Sequence, residues 1–169
     1  MNLLRAIYQR RSVRHYTADE ITDSQVDELI RAAMYAPSSG NAQPWHFIVI
    51  RDRAILDEIT TFHPYAHMLI TATVAVLVCA DLTLEKFVGR WMLDCSAAAQ
   101  NLLLAAHGSG LGAVWVSLYP EVDRMAKVAE LVQLPEHVQP VCLIPVGVPA
   151  EPKRAVDRFK PERIHHDRW

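Results

Sequence analysis

The spacing of apolar residues predicts helices that alternate with strands. The clearest helix begins after Thr22, because Thr22 and Gln25 form a capping-box pair, and Pro37 ends the pattern. Its apolar positions recur at intervals of three and four residues: Val26, Leu29, Ile30, Ala33 and Met34. A shorter helix is predicted to begin at Asn2 or Leu3 and to run into a basic stretch, and another over residues 52–60.

Four apolar runs have the composition of strands. The run over residues 45–50 is aromatic and β-branched, and the Val-rich run over residues 72–80 is apolar on both faces, as in the centre of a sheet. Residues 113–118 and 141–148 follow, and Pro145 predicts that the last strand lies at an edge or carries a bulge. A helix is predicted to open at Pro120, with four residues inward: Val122, Met125, Ala126 and Ala129.

A long helix is predicted from Leu84 to His107, and it is apolar almost all round, with small residues over 96–99. Such a helix must be covered on most of its surface. A chain of this size has few elements to cover it, so a second copy is the expected partner. Strands interleaved with helices, one of them long and central, give an α+β layered fold.

Composition narrows the function classes. The 169 residues, 51% of them hydrophobic, predict a single domain over 1–169, and 17 basic against 19 acidic residues leave no basic field for nucleic acid. Cys79, Cys95 and Cys142 are isolated in the sequence, which favours a reducing compartment. The longest apolar stretch, over 68–80, is too short to span a membrane, so we expect a cytoplasmic protein without membrane partners.

Two segments carry candidate binding chemistry. Arg10, Arg11, Ser12 and Arg14 place three cations and a hydroxyl within five residues, a combination that phosphate recognition requires, although a solvated basic surface is the alternative. The loop from Pro37 to Trp45 packs two hydroxyls, two amides and a glycine between prolines, which favours a ligand with both donors and acceptors along its edge.

Two other motifs predict no ligand. The glycines over 108–112 follow a helix rather than a strand, so they indicate a helix C-cap and not a dinucleotide loop. His165 and His166 are adjacent and have no further ligands nearby in the sequence, so no metal site is predicted.

Five motifs occur in the order typical of one known family. They are Arg10–Arg14, Pro37–Phe47, Asp94–Leu104, Gly110–Trp115 and the closing His165–Trp169. Together they cover the chain from Arg10 to its last residue, and the sequence resembles the FMN-dependent nitroreductases.

The resemblance implies an α+β homodimer with a mixed sheet, the long helix at the interface, and one FMN in each of two interface clefts. Arg10, Arg11, Ser12 and Arg14 of one subunit would hold the phosphate and ribityl end. The other subunit would reach the ring with Pro37, Ser38, Ser39, Asn41 and, more weakly, Gln43. Ser117 and Leu118 match the family's backbone donors near the ring. Arg154 or Arg158 matches its basic residue in the C-terminal tail, and His67 matches a further contact to the flavin.

The implied activity is transfer of two electrons from NADH or NADPH to a nitroaromatic, quinone or similar small acceptor by a ping-pong route. The flavin carries this chemistry, so no catalytic side chain is predicted. Alternatives within the family are flavin destruction, reductive dehalogenation and dehydrogenation. An FMN-binding protein without catalysis is the alternative of a different class.

Overall fold

A computed structural model describes residues 2–152 and 154–169 of the chain. The helices are α1 (Leu3–Gln9), α2 (Asp23–Met34), α3 (Arg53–Phe62), α4 (Trp91–Gly108) and α5 (Val122–Leu131). The strands are β1 (Trp45–Ile50), β2 (Val74–Asp81), β3 (Gly112–Ala113), β4 (Val116–Ser117) and β5 (Val138–Gly147). The predicted α+β class is confirmed. None of the helices described is both long and apolar enough to cross a bilayer.

The five strands form one sheet in the order β1-β2-β5-β3, with β4 also pairing with β5. These pairs are antiparallel, and one isolated parallel bridge joins Ser12 to Ala113. β5 is therefore central, and the edge position predicted from Pro145 is wrong. Pro145 is tolerated because β3 ends opposite Val146 and β4 begins opposite Leu143, so the pairing on that side is interrupted at Pro145. The predicted bulge occurs instead at Val141, where the β2–β5 register shifts.

Helices cover both faces of the sheet. Val74, Val76 and Val78 of β2 pack into a cluster with α2 and α4, whereas the alternate residues Ala75 and Leu77 pack with α3 and α5. The alternation explains why β2 is apolar on both faces, as its sequence predicted.

α4 begins at Trp91, later than the predicted Leu84. The cause is a side-chain cap: Glu85 Oε1 accepts hydrogen bonds from the amides of Arg90 (2.7 Å) and Trp91 (3.1 Å). The same helix is covered by α2 and the sheet, and Ala98 is fully buried inside its own subunit. One stripe of α4 remains at the surface, formed by Leu93, Ala97, Gln100, Leu104 and His107; Leu93 is 61% exposed.

α5 buries only part of the face predicted to point inward: Met125 packs against the core and Ala129 is half-buried, whereas Ala126 is exposed. Val128 is its buried residue, and Val122 is 75% exposed. The helix begins two residues after Pro120, at Val122, so Val122 lies at its exposed first position.

Candidate functional site

Hydrogen bonds hold the segment that carries the N-terminal arginines against the sheet. Val13 N–H donates to Ala113 O (3.0 Å), and Thr17 N–H donates to Val148 O (2.9 Å). The Tyr16 hydroxyl donates to the carbonyls of Val13 (2.7 Å) and Pro145 (3.2 Å). Burial raises the pKa of Tyr16, so the hydroxyl stays a donor at physiological pH.

Two glycines allow this segment to lie close to the strands. A Cβ at Gly112 would come within 2.7 Å of Val13 Cγ1, and a Cβ at Gly147 within 2.6 Å of Tyr16 Cγ. Because Gly112 and Gly147 pair across β3 and β5, they form a continuous track under the segment. The backbone from which Arg14 projects is thereby fixed.

Arg10 and Arg11 face the C-terminal tail across a cavity of about 650 Å³ that Arg158 also lines. Burial lowers the pKa of Arg10, and the neighbouring charges of Arg158 and Arg11 lower it further. No ion pair among the described residues joins Arg10, Arg14 or Arg158 to a carboxylate. Three arginines and one carboxylate, Asp157, line this cavity, and its excess of positive charge is suited to binding an anion such as a phosphate.

Arg11 has a different set of contacts from Arg10. Its guanidinium donates to the carbonyls of Tyr8 (2.9 Å), Arg10 (2.7 Å) and Val156 (2.8 Å), so it holds the tail against α1. Of the two tail arginines, Arg158 reaches this cluster. Arg154 is exposed and does not line the cavity.

Arg14, His67 and Ser117 line a second cavity, of about 510 Å³. The structure therefore brings together three predicted residues from distant parts of the sequence. Sequence reasoning missed several other residues that line it, among them His63, Tyr65 and Arg124. Arg124 lies over the Tyr65 ring, 5.7 Å from its centre, so the cavity contains a second arginine.

Ser117 and Leu118 differ in what they can offer a ligand. Leu118 is fully buried and its amide already donates to Val141 O (3.2 Å) within the sheet, so its donor role toward a ligand stays a prediction. The bulge at Val141 accounts for this hydrogen bond, because the same carbonyl also accepts from Tyr119 N (3.0 Å). Ser117 is exposed and lines the cavity.

The polar loop after α2 is held by a buried carboxylate. Asp94 of α4 is 4% exposed, and its Oδ1 accepts from the amide (2.9 Å) and hydroxyl (3.0 Å) of Ser39. The Ser38 hydroxyl accepts from Gln43 N (3.0 Å), and Gln43 Nε2 donates to Asn41 Oδ1 (2.7 Å). Asp94 thus has a structural role, because it holds this loop in place.

The backbone of this loop is tightly curved. Gly40, Asn41 and Gln43 all have positive φ, of 59°, 54° and 51°. Lys86 Nζ donates to Gly40 O (2.7 Å) and braces the turn from outside. Pro37, Asn41 and Gln43 are exposed, and Ser38 and Ser39 are half-buried, so the loop presents its polar groups at the surface.

The two predicted halves of the site lie at opposite ends of α4. Asp94, near the start of the helix, holds the polar loop, whereas burial and the charges of Arg10 and Arg11 lower the pKa of His107 near its end. The rise of an α-helix puts Asp94 and His107 about 20 Å apart. One subunit alone therefore does not bring the arginines and the loop together.

Comparison with known proteins gives a consistent result. The profile of the Nitroreductase family matches residues 7–78 and 62–148. A Methanothermobacter thermautotrophicus protein, provisionally named NADH dehydrogenase/NAD(P)H nitroreductase, is 48% identical over 169 residues, covering 100% of this chain and 88% of its own.

Solved structures with the same fold include two flavoproteins. One, described as an FMN-dependent nitroreductase from Clostridium difficile, is 26% identical with a TM-score of 0.89, covering 98% of this chain and 99% of its own. Another, from Desulfovibrio desulfuricans and provisionally identified as a nitroreductase in complex with FMN, is 32% identical with a TM-score of 0.89, covering 100% and 98%. The matched motifs, the fold and these relatives together show that the chain belongs to the nitroreductase family.

Proposed function

We propose that this protein is an FMN-dependent oxidoreductase that acts as a homodimer. It takes two electrons from NADH or NADPH and passes them to a nitroaromatic, a quinone or a similar small acceptor by a ping-pong route. One observation carries the proposal: the cation cluster and the polar loop occupy opposite ends of α4, so a complete site needs two chains.

A two-fold axis beside α4 would complete the site. Antiparallel packing of two α4 helices puts the Asp94 end of one helix beside the His107 end of the other. The surface stripe of α4, on which Leu93 is exposed and Ala97 and Leu104 are half-buried, supplies an apolar surface for this contact. Two equivalent clefts result, each with arginines from one chain and the loop from its partner.

The residues present fit a flavin mononucleotide. Arg10, Ser12, Arg14 and Arg158 would hold the phosphate, because they supply unpaired cations and a hydroxyl, which a dianion with three acceptor oxygens requires. Ser38, Ser39 and Asn41 of the partner subunit, with Pro37 and Gln43, would face the ring edge, where a flavin offers both donors and acceptors. Ser117 and His67 would line the cleft from the first chain.

When bound, FMN would supply the hydride-transfer chemistry between nicotinamide and acceptor. The chain's own task is to bind and orient. Donors on Ser117 and on the Asn41 loop would stabilise negative charge that develops on the ring, since they are fixed before the reaction begins. The same cleft would serve the nicotinamide and the acceptor in turn, as a ping-pong route requires.

Two further assignments accompany this proposal. The whole chain, residues 1–169, would form one FMN-binding domain, because both halves of the site are tied to the same sheet and to α4. We place the protein in the cytoplasm, since Cys79, Cys95 and Cys142 are free and buried. Burial raises the pKa of Cys79 and Cys95 to about 12, so these thiols are inert.

The visible spectrum of the purified protein tests the proposal. Heat-released flavin should be FMN, and NADH or NADPH added under nitrogen should bleach the bound chromophore, with colour returning on addition of a quinone. Absence of bleaching with either donor would favour the flavin-binding protein without catalysis. Bound FAD in place of FMN would contradict the role assigned to the arginines.

A further inference from the structure

His63 is a buried histidine with both ring nitrogens engaged. It is 2% exposed, it follows the end of α3, and it lines the cavity of Arg14, His67 and Ser117. Its Nε2 lies 2.8 Å from the carbonyl oxygen of Ser117, and its Nδ1 lies 3.2 Å from the amide nitrogen of Tyr65. The ring thus joins the segment after α3 to β4.

These partners fix the tautomer of the ring. The Tyr65 amide can only donate, so Nδ1 is an acceptor without a proton. The proton of the neutral ring therefore lies on Nε2, which donates to the Ser117 carbonyl.

The strand register shows what this hydrogen bond controls. Ser117 lies opposite Cys142, and the next amide along the strand, Leu118 N–H, donates to Val141 O. In an antiparallel pair this pattern makes Ser117 and Cys142 a pair without mutual hydrogen bonds, so the N–H and C=O of Ser117 both point away from β5. The carbonyl is taken by His63, and the amide is directed to the same side.

We propose that His63 is a positioning residue for the flavin site: by donating to the Ser117 carbonyl it holds the outer edge of β4 so that the Ser117 amide points into the cleft. This inference rests on the proposed function, because the group that would accept from this amide is the flavin ring. β4 is only two residues long and has β5 as its sole strand partner in the described sheet, so this side contact has a large effect on its orientation.

Three variants separate positioning from packing. Gln at position 63 places an amide nitrogen where Nε2 lies, and so keeps the donor to Ser117. Asn places a polar atom only near Nδ1, and Ala removes both contacts. The measurements are FMN affinity of the apoprotein, the absorption spectrum and midpoint potential of bound flavin, and the thermal midpoint of the apoprotein.

His63→Gln should retain FMN affinity within about twofold and keep the wild-type spectrum and potential. His63→Asn and His63→Ala should each bind FMN about tenfold more weakly, because the Ser117 amide would no longer be aligned with its acceptor on the flavin. The absorption spectrum of the bound flavin should shift in both variants. Provided that wild type binds FMN, two results would overturn the inference. One is equal FMN affinity, spectrum and potential in His63→Gln and His63→Asn. The other is a change in these flavin properties that follows the thermal midpoint alone. Wild type that fails to bind FMN would instead overturn the proposed function, and this inference with it.

Discussion

Arg10 and Arg11 are adjacent in the chain but have different tasks. Arg11 uses its donors on three backbone carbonyls and ties the tail to α1. Among the described residues, the Arg10 side chain makes no such contact, and it lies beside the like charges of Arg158 and Arg11. Binding of an anion relieves that repulsion, so Arg10 is the better probe of phosphate recognition.

Replacing Arg10 should weaken FMN binding and leave riboflavin binding unchanged. Arg10→Ala removes a charge-assisted donor, so FMN affinity should fall by about 1.5–3 kcal/mol. Titration of apoprotein with each flavin measures this. Arg5→Ala is the matched control, because Arg5 is exposed on α1 and bonds only Gln9 among the described contacts. An equal loss for riboflavin would show that Arg10 acts on the fold and not on the phosphate.

Asn41 tests the polar loop. Its φ of 54° makes Gly the least strained replacement, since Gly populates the left-handed region without penalty. Asn41→Gly should lower FMN affinity modestly and slow flavin bleaching by NADH or NADPH more strongly, because the donor acts on charge that develops during reduction. Stopped-flow absorbance at full occupancy gives the rate. A wild-type rate in this variant would remove Asn41 from the mechanism.

At the scale of single residues, the sequence predicted which residue types could bind a ligand, but it did not predict which groups they contact within the protein. Arg10 and Arg14 were predicted from their own charge, whereas Ser117 and His67 were predicted only from the resemblance to the family. His63 could not be predicted, since its partner is 54 residues away. The hydrogen bond from the Leu118 amide to Val141 O could not be predicted for a similar reason, because the bulge that sets it is a property of β5.

Among the elements, α4 organises the site. One face is buried under α2 and the sheet, one end carries Asp94 and its loop, and the other end meets the arginines. The remaining stripe defines where a second subunit can pack. Ala98 lies outside that stripe, fully buried in its own subunit, so a charge there would unfold the chain and not separate two chains.

Ala97 is the position that tests the interface. Ala97→Glu places a carboxylate on the half-buried stripe, so the dimer should dissociate and release FMN while each chain stays folded. Analytical ultracentrifugation, flavin content and circular dichroism follow the three properties. Ala126→Glu, the same change at an exposed position of α5, should alter none of them. A monomer that keeps tightly bound FMN would contradict the two-chain site.

Local signals predicted some boundaries and missed others. The capping box at Thr22 and Gln25 is contained within four residues, and α2 begins as predicted. The start of α4 depends on Glu85, whose side chain caps the amide of Trp91 six residues later. No short sequence motif marks such a cap. Pro145 was interpreted from its own chemistry, whereas the gap between β3 and β4 that accommodates it is set by the whole sheet.

For the whole molecule, the central claim is that each flavin is held by two chains. A mixed dimer tests this, because it can combine two defects in one cleft and leave the other intact. One chain carries Arg10→Ala and Arg14→Ala, which should abolish tight FMN binding. The other carries Asn41→Gly, which should bind FMN and bleach slowly.

The most direct measurement is rapid bleaching in that mixed dimer, purified with a different tag on each chain. If the arginines and the loop of each cleft come from different chains, one of the two clefts has only wild-type residues. One FMN in each mixed dimer should then bleach at the wild-type rate. Neither parent dimer should show this fast phase. If each chain held its own flavin, every cleft would keep one defect and no fast phase would appear, which would contradict the account.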